Sequence, residues 1–171
     1  MSLAEAVFSL PQTCPNPMDT ASIRHDCSFY TDCMEPVFQC GPDGYPIAYG
    51  QEYCTRFMDN YDTFSPSGQA WIDDSFDCMK KAMVPLLDSG MTCEELEVAA
   101  LDTHVQCFLD SGFCRNAFAY VTNWWGTWDF NTKVMSVYKL EDFFGKPKHI
   151  QSIALGQIKD LTLKCTFGFS I

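Results

Sequence analysis

The segment FSPSGQAWIDDSFDCMKKAM, Phe64 to Met83, carries the pattern that decides the fold of this chain. Its apolar residues recur every three or four positions, which is the spacing of one face of an α-helix. The residues on that face are Ile72, Phe76, Met79 and Met83. Ser65 or Ser67 can cap the start of this helix, and Pro85 ends it. The segment therefore predicts an amphipathic helix with one buried face.

Two helices are predicted before this segment. The first is capped by Thr20 and runs to Met34, where Glu35-Pro36 ends it. The second begins at Pro46, within the turn-forming sequence CGPDGYPIAYG. The predicted inward faces are Ile23, Cys27, Tyr30 and Met34 in the first helix, and Tyr53, Cys54, Phe57 and Tyr61 in the second.

A fourth helix begins with the sequence TCEEL. The hydroxyl of Thr92 is placed to accept a hydrogen bond from the amide of Glu95, and the Glu95 carboxylate reaches back, which is a capping box. Gly112 ends this helix. Its predicted inward residues are Leu96, Ala100, Thr103 and Cys107. We expect His104, at the edge of this face, to be a partly buried packing residue.

Ten cysteines among 171 residues indicate a disulfide protein. No two are spaced as Cys-x2-Cys and no histidine pair completes a zinc ligand set, so we expect no metal. Because disulfides persist in oxidising compartments, we expect a secreted, extracellular protein whose signal sequence has been removed. The net charge of −11 argues against nucleic acid and anionic membranes as partners. No run of apolar residues is long enough to predict a membrane span.

The most specific signal in the sequence is the spacing of the cysteines from Cys54 to Cys114. The intervals are 23, 14, 13 and 6 residues, and the sequences YCTRF, FSPSGQAWIDDSFDC and HVQCFLDSGFC follow in that order. In these features residues 14–114 resemble the stanniocalcins, a family of secreted, cysteine-rich glycoprotein hormones. The resemblance implies a helical framework. It also implies an extracellular signalling or regulatory protein that acts by binding a protein receptor or another extracellular partner.

The resemblance further implies a pairing of the cysteines, which counting alone does not fix. The implied pairs are Cys14–Cys33, Cys27–Cys54, Cys40–Cys93, Cys78–Cys107 and Cys114–Cys165. This pairing uses all ten cysteines and leaves none to link two chains. We therefore expect a monomer or a non-covalent homodimer.

The pattern changes after Cys114. The terminal sequence LTLKCTFGFSI, residues 161–171, alternates apolar and polar residues, which is typical of a strand. Trp128 to Leu140 alternates more loosely. We therefore predict a single domain over residues 1–171, mainly α and disulfide-rich but α+β overall. Its helical, disulfide-stapled core would cover residues 14–114, and a small, aromatic, partly β segment would cover residues 115–171.

The sequence NWWGTWDF gathers aromatic residues in the C-terminal segment. Trp124, Trp125, Trp128 and Phe130 fall within seven residues. One interpretation is a core that packs the β layer against the helices. The other is a pocket or docking surface for an apolar ligand or a partner. The second interpretation predicts a small apolar ligand-binding protein, or a luciferase-like or oxidase-like enzyme that uses such a ligand.

The sequence offers little support for catalysis. His25 and Asp26 stand beside Cys27, as a His-Asp pair does among the cysteines of phospholipases A2, but here the glycine turn follows the pair instead of preceding it. We expect the pair to lie on the outer face of a helix, and a hydrolytic activity would rest on His25 alone. We therefore expect a non-catalytic protein without a cofactor. The segment that contains Asp59 and Asp62 lacks the glutamate at the twelfth position of an EF-hand loop, so we expect only weak calcium binding.

Overall fold

The computed structural model describes residues 14, 25–118, 124–138 and 148–167, and it contains helices but no strand within those ranges. Seven helices are numbered here in chain order. Helix α1 comprises π-helical Phe29–Met34 and α-helical Glu35–Phe38, α2 comprises π-helical Tyr45–Gln51 and α-helical Glu52–Asp59, α3 is Pro66–Met83, α4 is Cys93–Asp110, α5 is Phe113–Ala117, α6 is Trp124–Val137 and α7 is Lys148–Phe167. Short 3₁₀ turns, Tyr61–Thr63 and Val84–Asp88, lie on either side of α3.

All ten cysteines form disulfides within the chain. The pairs are Cys14–Cys33, Cys27–Cys54, Cys40–Cys93, Cys78–Cys107 and Cys114–Cys165. These are the pairs that the resemblance implies. One of them joins α3 to α4, and another joins α5 to α7. The disulfides therefore connect both the central helices and the C-terminal helix to the rest of the chain.

Helix α3 begins and ends where its sequence indicates. Of the two candidate caps, Ser65 is the one used: its hydroxyl accepts a hydrogen bond from the amide of Gly68 at 3.3 Å. The predicted inward residues Ile72, Phe76, Met79 and Met83 are all buried. The α-helix stops at Met83, and Pro85 lies in the 3₁₀ turn that follows.

Helix α4 carries the predicted capping box. The amide of Glu95 donates to the hydroxyl of Thr92 at 3.3 Å, and the amide of Thr92 donates to the Glu95 carboxylate at 2.9 Å. The last helical residue is Asp110, and Gly112 follows in a left-handed conformation with φ of 91°. Because only glycine adopts that conformation without strain, Gly112 fixes where the helix ends.

Helix α1 differs from its prediction at both ends. His25 to Cys27 form a turn, and the helical segment begins at Phe29. The Asp26 carboxylate accepts from the amide of Ser28 in this turn, so His25 and Asp26 precede the helix instead of lying on its outer face.

The C-terminal end of α1 lies beyond the predicted one. Pro36 does not end the helix, which continues to Phe38 and is stopped by Gln39 in a left-handed conformation. The residues just before Pro36 are π-helical, and this wider turn accommodates a ring that would clash with the preceding turn of a regular α-helix. The predicted cap Thr20 and the predicted inward residue Ile23 lie outside the described residues. Helix α2 starts with Pro46 in its first turn, as predicted.

The predicted β-rich C-terminal segment is wrong over the residues that the structure describes. Trp124–Val137 and Lys148–Phe167 are helices. The sequence also has helical spacing, because Ile158, Leu161 and Cys165 follow at intervals of three and four. Burial of Leu161 and the disulfide of Cys165 outweigh the local preference for a strand, which depends strongly on tertiary context. The ends of the two predicted strands, residues 139–140 and 168–171, lie outside the described residues.

The core is largely aromatic, and Trp71 lies at its centre. The ring of Trp71, on α3, lies 5.3 Å from Phe108, 5.7 Å from Phe113 and 5.1 Å from Phe130 between centroids. These three rings come from α4, α5 and α6, so one side chain joins four helices. Among the described helices, none has the length and apolar character that a membrane span requires.

Candidate functional site

The aromatic residues predicted as a site divide between two faces of α6. Phe130 is buried against Trp71 and Phe113. The three tryptophans are exposed instead, at 56% for Trp124, 79% for Trp125 and 57% for Trp128. The fold therefore uses Phe130 as a core residue and leaves the three indoles at the surface. Phe130 therefore fits the core interpretation, although it lies on a helix and not in a β layer. Binding of a ligand or partner at the three tryptophans stays a prediction.

Helical geometry explains this division. Trp124, Trp128 and Met135 are separated by four and seven residues, so they share one stripe along α6. Thr127, Phe130 and Val137 form the opposite, buried stripe. The end of α6 is held by Arg56, whose guanidinium donates to the carbonyl of Val137 at 3.3 Å. The alternating pattern read from the sequence concealed this second, exposed stripe.

A cavity of about 550 Å³ lies beside the exposed stripe, and we call it the α6–α7 cavity. Trp128, Val134 and Met135 of α6 and Ile158, Leu161 and Thr162 of α7 contribute to its walls. Trp71 and Phe108 of the buried core also line it, together with Phe113, which is partly buried and packs against that core. Trp128 is the one predicted site residue that lines the cavity. No sequence signal points to the others, because they come from six different helices.

Two tyrosines extend the lining toward the interior. Burial raises the pKa of Tyr49 and of Tyr138 well above the ordinary value. Both phenols are therefore neutral at physiological pH. The described lining residues are all uncharged. Their polar side-chain groups are hydroxyls, the amide of Asn131 and the indole N–H groups of Trp71 and Trp128.

A buried histidine lies beside these tyrosines. His104 Nε2 lies 3.0 Å from the hydroxyl of Tyr45, and that hydroxyl lies 3.8 Å from Met83 Sδ. His104 is 4% exposed, which is deeper than the partly buried position that the sequence predicts. Burial lowers the pKa of His104 to about 4, so the ring is neutral at physiological pH. It serves as a polar link between α4 and α2 within the core.

His25 has an orienting carboxylate that the sequence does not reveal. Its Nε2 lies 2.7 Å from Asp73 Oδ1, and the hydroxyl of Tyr61 donates to Asp73 Oδ2 at 2.9 Å. The His25 ring also lies 4.7 Å from the Tyr61 ring between centroids. The His25 side chain is half exposed. These contacts fix the ring against α3, and within the described residues its partners are this carboxylate and this phenol rather than a nucleophile.

Asp26, the neighbour of His25, has contacts that organise the start of α1. Its carboxylate accepts from the amide of Ser28 at 2.8 Å, and its carbonyl accepts from the ammonium of Lys80 at 2.7 Å. Lys80 is fully buried, and that burial lowers its pKa to about 8 against the opposing effect of Asp26 and Asp77. His25 and Asp26 thus make separate structural contacts.

Two of the three acidic residues of α3 pair with neighbours. The Asp73 carboxylate is hydrogen-bonded to His25 and Tyr61, and the Asp77 carboxylate accepts from Lys81 at 2.8 Å. Among the described residues, no three metal-ligating side chains come together. Weak calcium binding stays a prediction.

Comparisons with known proteins complete this description. Neither a family model, nor a curated protein, nor a solved structure matches the chain.

Proposed function

We propose that this protein is a secreted, stanniocalcin-like regulator that acts outside the cell by binding a protein partner. The observation that carries the proposal is the set of five disulfides. Their pairs are those that the stanniocalcin resemblance of residues 14–114 implies, including the pair Cys114–Cys165 that reaches far beyond the resembling region. A chance match of all five pairs is improbable, because ten cysteines admit very many pairings.

The disulfides also support the extracellular compartment. Five bridges use every cysteine in the chain, and such bridges persist in oxidising surroundings. The bridges hold together a helical chain that includes two π-helical segments. A protein that depends on them functions where they stay oxidised.

The exposed tryptophans of α6 support binding to a protein. Trp124, Trp125 and Trp128 together form an exposed aromatic surface, which we call the tryptophan surface. Tryptophan is enriched among the residues that dominate protein–protein binding energy. The net charge of −11 favours a partner whose contact surface is apolar at its centre and basic around it.

Binding to intact cells from the source organism tests the proposal. Labelled, oxidised protein is titrated onto the cells, and we expect saturable binding that an excess of unlabelled protein displaces. Reduced and alkylated protein is the matched control and is expected not to compete. Mild trypsin treatment of the cell surface should abolish the binding, because the partner is a protein. Non-saturable binding, or binding that survives trypsin, would contradict the proposal.

A further inference from the structure

The α6–α7 cavity has the shape of a small-molecule site. Two helices supply walls. Buried aromatic rings of α3 and α4 and a partly buried ring of α5 close it from the interior. Its volume of about 550 Å³ falls within the range of roughly 300–1,000 Å³ that is common for ligand pockets. Water occupies ~30 Å³ per molecule in the liquid, so the space suits a molecule of about twenty non-hydrogen atoms.

The lining also determines which charge a bound molecule can carry. Every described residue that lines the cavity is uncharged. The nearest charges along α6 neutralise each other, because Lys133 donates to the Asp129 carboxylate at 2.8 Å. A charged molecule would lose its hydration in this cavity without gaining a counter-charge, which is costly. An uncharged molecule has no such cost.

The polar groups of the lining lie among apolar ones. Thr132 and Thr162 donate their hydroxyl hydrogens to helix carbonyls, at 3.0 Å to Asp129 and at 2.8 Å to Ile158. Their oxygens therefore act as acceptors toward an occupant. Such a lining suits a largely apolar molecule that carries one or two hydrogen-bond donors.

We propose that the α6–α7 cavity binds one uncharged, largely apolar small molecule of about twenty non-hydrogen atoms. This activity goes beyond the proposed binding of a protein partner and does not depend on it. It uses the walls and aromatic floor of the cavity. Of the tryptophan surface, Trp128 also lines the cavity, whereas Trp124 and Trp125 are not among the lining residues.

The test uses the neutral dye N-phenyl-1-naphthylamine and its anionic relative 1-anilinonaphthalene-8-sulfonate. Dye fluorescence and tryptophan quenching are followed in purified, oxidised protein, because Trp71 and Trp128 line the cavity. We expect one equivalent of the neutral dye to bind with micromolar affinity, and the anionic dye to bind at least about tenfold more weakly. Absence of saturable binding, or tighter binding of the anion, would overturn the proposal.

Two threonines on α7 provide a matched pair of variants. Thr162 and Thr166 are both exposed and both donate to the carbonyl four residues earlier, but only Thr162 is among the lining residues of the cavity. Thr162→Lys should weaken binding of the neutral dye at least about tenfold, because it places a charge in the wall. Thr166→Lys should leave the affinity within about twofold.

A third variant keeps the test decisive if Thr162→Lys fails to fold. Met135→Lys places a charge on α6, at a residue that is half exposed and lines the cavity. It should cause the same loss of affinity. Dye binding that Thr162→Lys and Met135→Lys leave intact, but that Trp125→Ala removes, would assign the dye to the tryptophan surface and overturn the proposal. Binding that depends on dimer formation in light scattering would also overturn it.

Discussion

The rings of Trp71 and Phe130 meet edge to face, with their centroids 5.1 Å apart and their planes at 82°. This contact joins α3, in the disulfide-stapled centre of the fold, to α6, which carries the tryptophan surface. Trp71 is 2% exposed and also packs on Phe108 and Phe113. The indole of Trp71 is therefore a central contact among those that position α6.

Removal of this indole should be severely destabilising. We expect Trp71→Ala to lower the free energy of unfolding by about 3–5 kcal/mol, since it leaves a cavity among four helices. Trp125→Ala should change it by less than about 0.5 kcal/mol, since that side chain is 79% exposed. Guanidinium unfolding followed by circular dichroism measures both. Similar losses in the two variants would show that Trp71 does not organise the core.

The contact between α1 and α2 requires glycine at position 50. A Cβ atom added to Gly50 would overlap the ring of Tyr30, which is itself buried. Gly50→Ala should therefore lower the free energy of unfolding by about 1–3 kcal/mol, through the strain of displacing that ring. Tyr30→Leu in the same chain provides space and should recover part of the loss. Urea unfolding of the single and double variants checks this, and a fully additive loss would contradict the steric explanation.

The disulfide Cys114–Cys165 is expected to hold α7 in place. Among the described side chains of α7, Leu161 and Cys165 are buried, whereas Leu155, Ile158 and Leu163 are substantially exposed. In the variant Cys114→Ser with Cys165→Ser, amide hydrogens of α7 should exchange at least about tenfold faster, because opening of the helix is no longer limited by the bridge. Amides of α3 and α4 in the same sample serve as the control. Unchanged exchange in α7 would show that packing alone holds it.

The buried histidine predicts a pH dependence of stability. Burial lowers the pKa of His104 to about 4, while an unfolded chain has its ordinary value near 6.5. Between these values the unfolded chain binds a proton that the folded chain does not. The free energy of unfolding should therefore fall as the pH falls from about 6.5 to about 4, by up to about 3 kcal/mol from this residue.

Two variants isolate this contribution from that of the carboxylates. His104→Gln should lose the part of the pH slope that His104 supplies. Tyr45→Phe removes the phenol that contacts His104 at 3.0 Å but keeps the titrating ring, so it should retain the slope. Urea midpoints at several pH values between 4 and 7 give the comparison. An unchanged slope in His104→Gln would show that the ring is protonated in the folded protein.

The sequence predicts best those helices whose first and last residues are set by contacts within the neighbouring sequence. Ser65 and Thr92 accept the capping hydrogen bonds, and Gly112 takes the left-handed turn, as local chemistry requires. Helix α7 was missed because alternation over residues 161–167 imitates a strand, whereas burial of Leu161 and the disulfide of Cys165 are not local. Local pattern decides an element only where tertiary contacts agree with it.

The same distinction applies to the candidate sites. Trp128 was expected because it stands in an aromatic cluster, and it does line the α6–α7 cavity. Trp71 and Leu161 also line the cavity, but they are far apart in the chain and the sequence does not bring them together. The carboxylate of Asp73 likewise reaches His25 across 48 positions. Residues that are neighbours only in space can be identified only once the fold is known.

The central claim is that the protein binds a protein partner through the tryptophan surface. The most direct measurement is the affinity of labelled protein for intact cells, compared between Trp125→Ala and Val98→Ala. Val98 is an exposed apolar residue on α4, outside α6, and serves as the matched control. We expect Trp125→Ala to weaken cell binding at least about tenfold, the scale of an interface residue whose truncation costs more than ~1 kcal/mol. Val98→Ala should stay within about twofold of the unmodified protein. Equal affinity of all three proteins, or an equal loss in both variants, would contradict the claim.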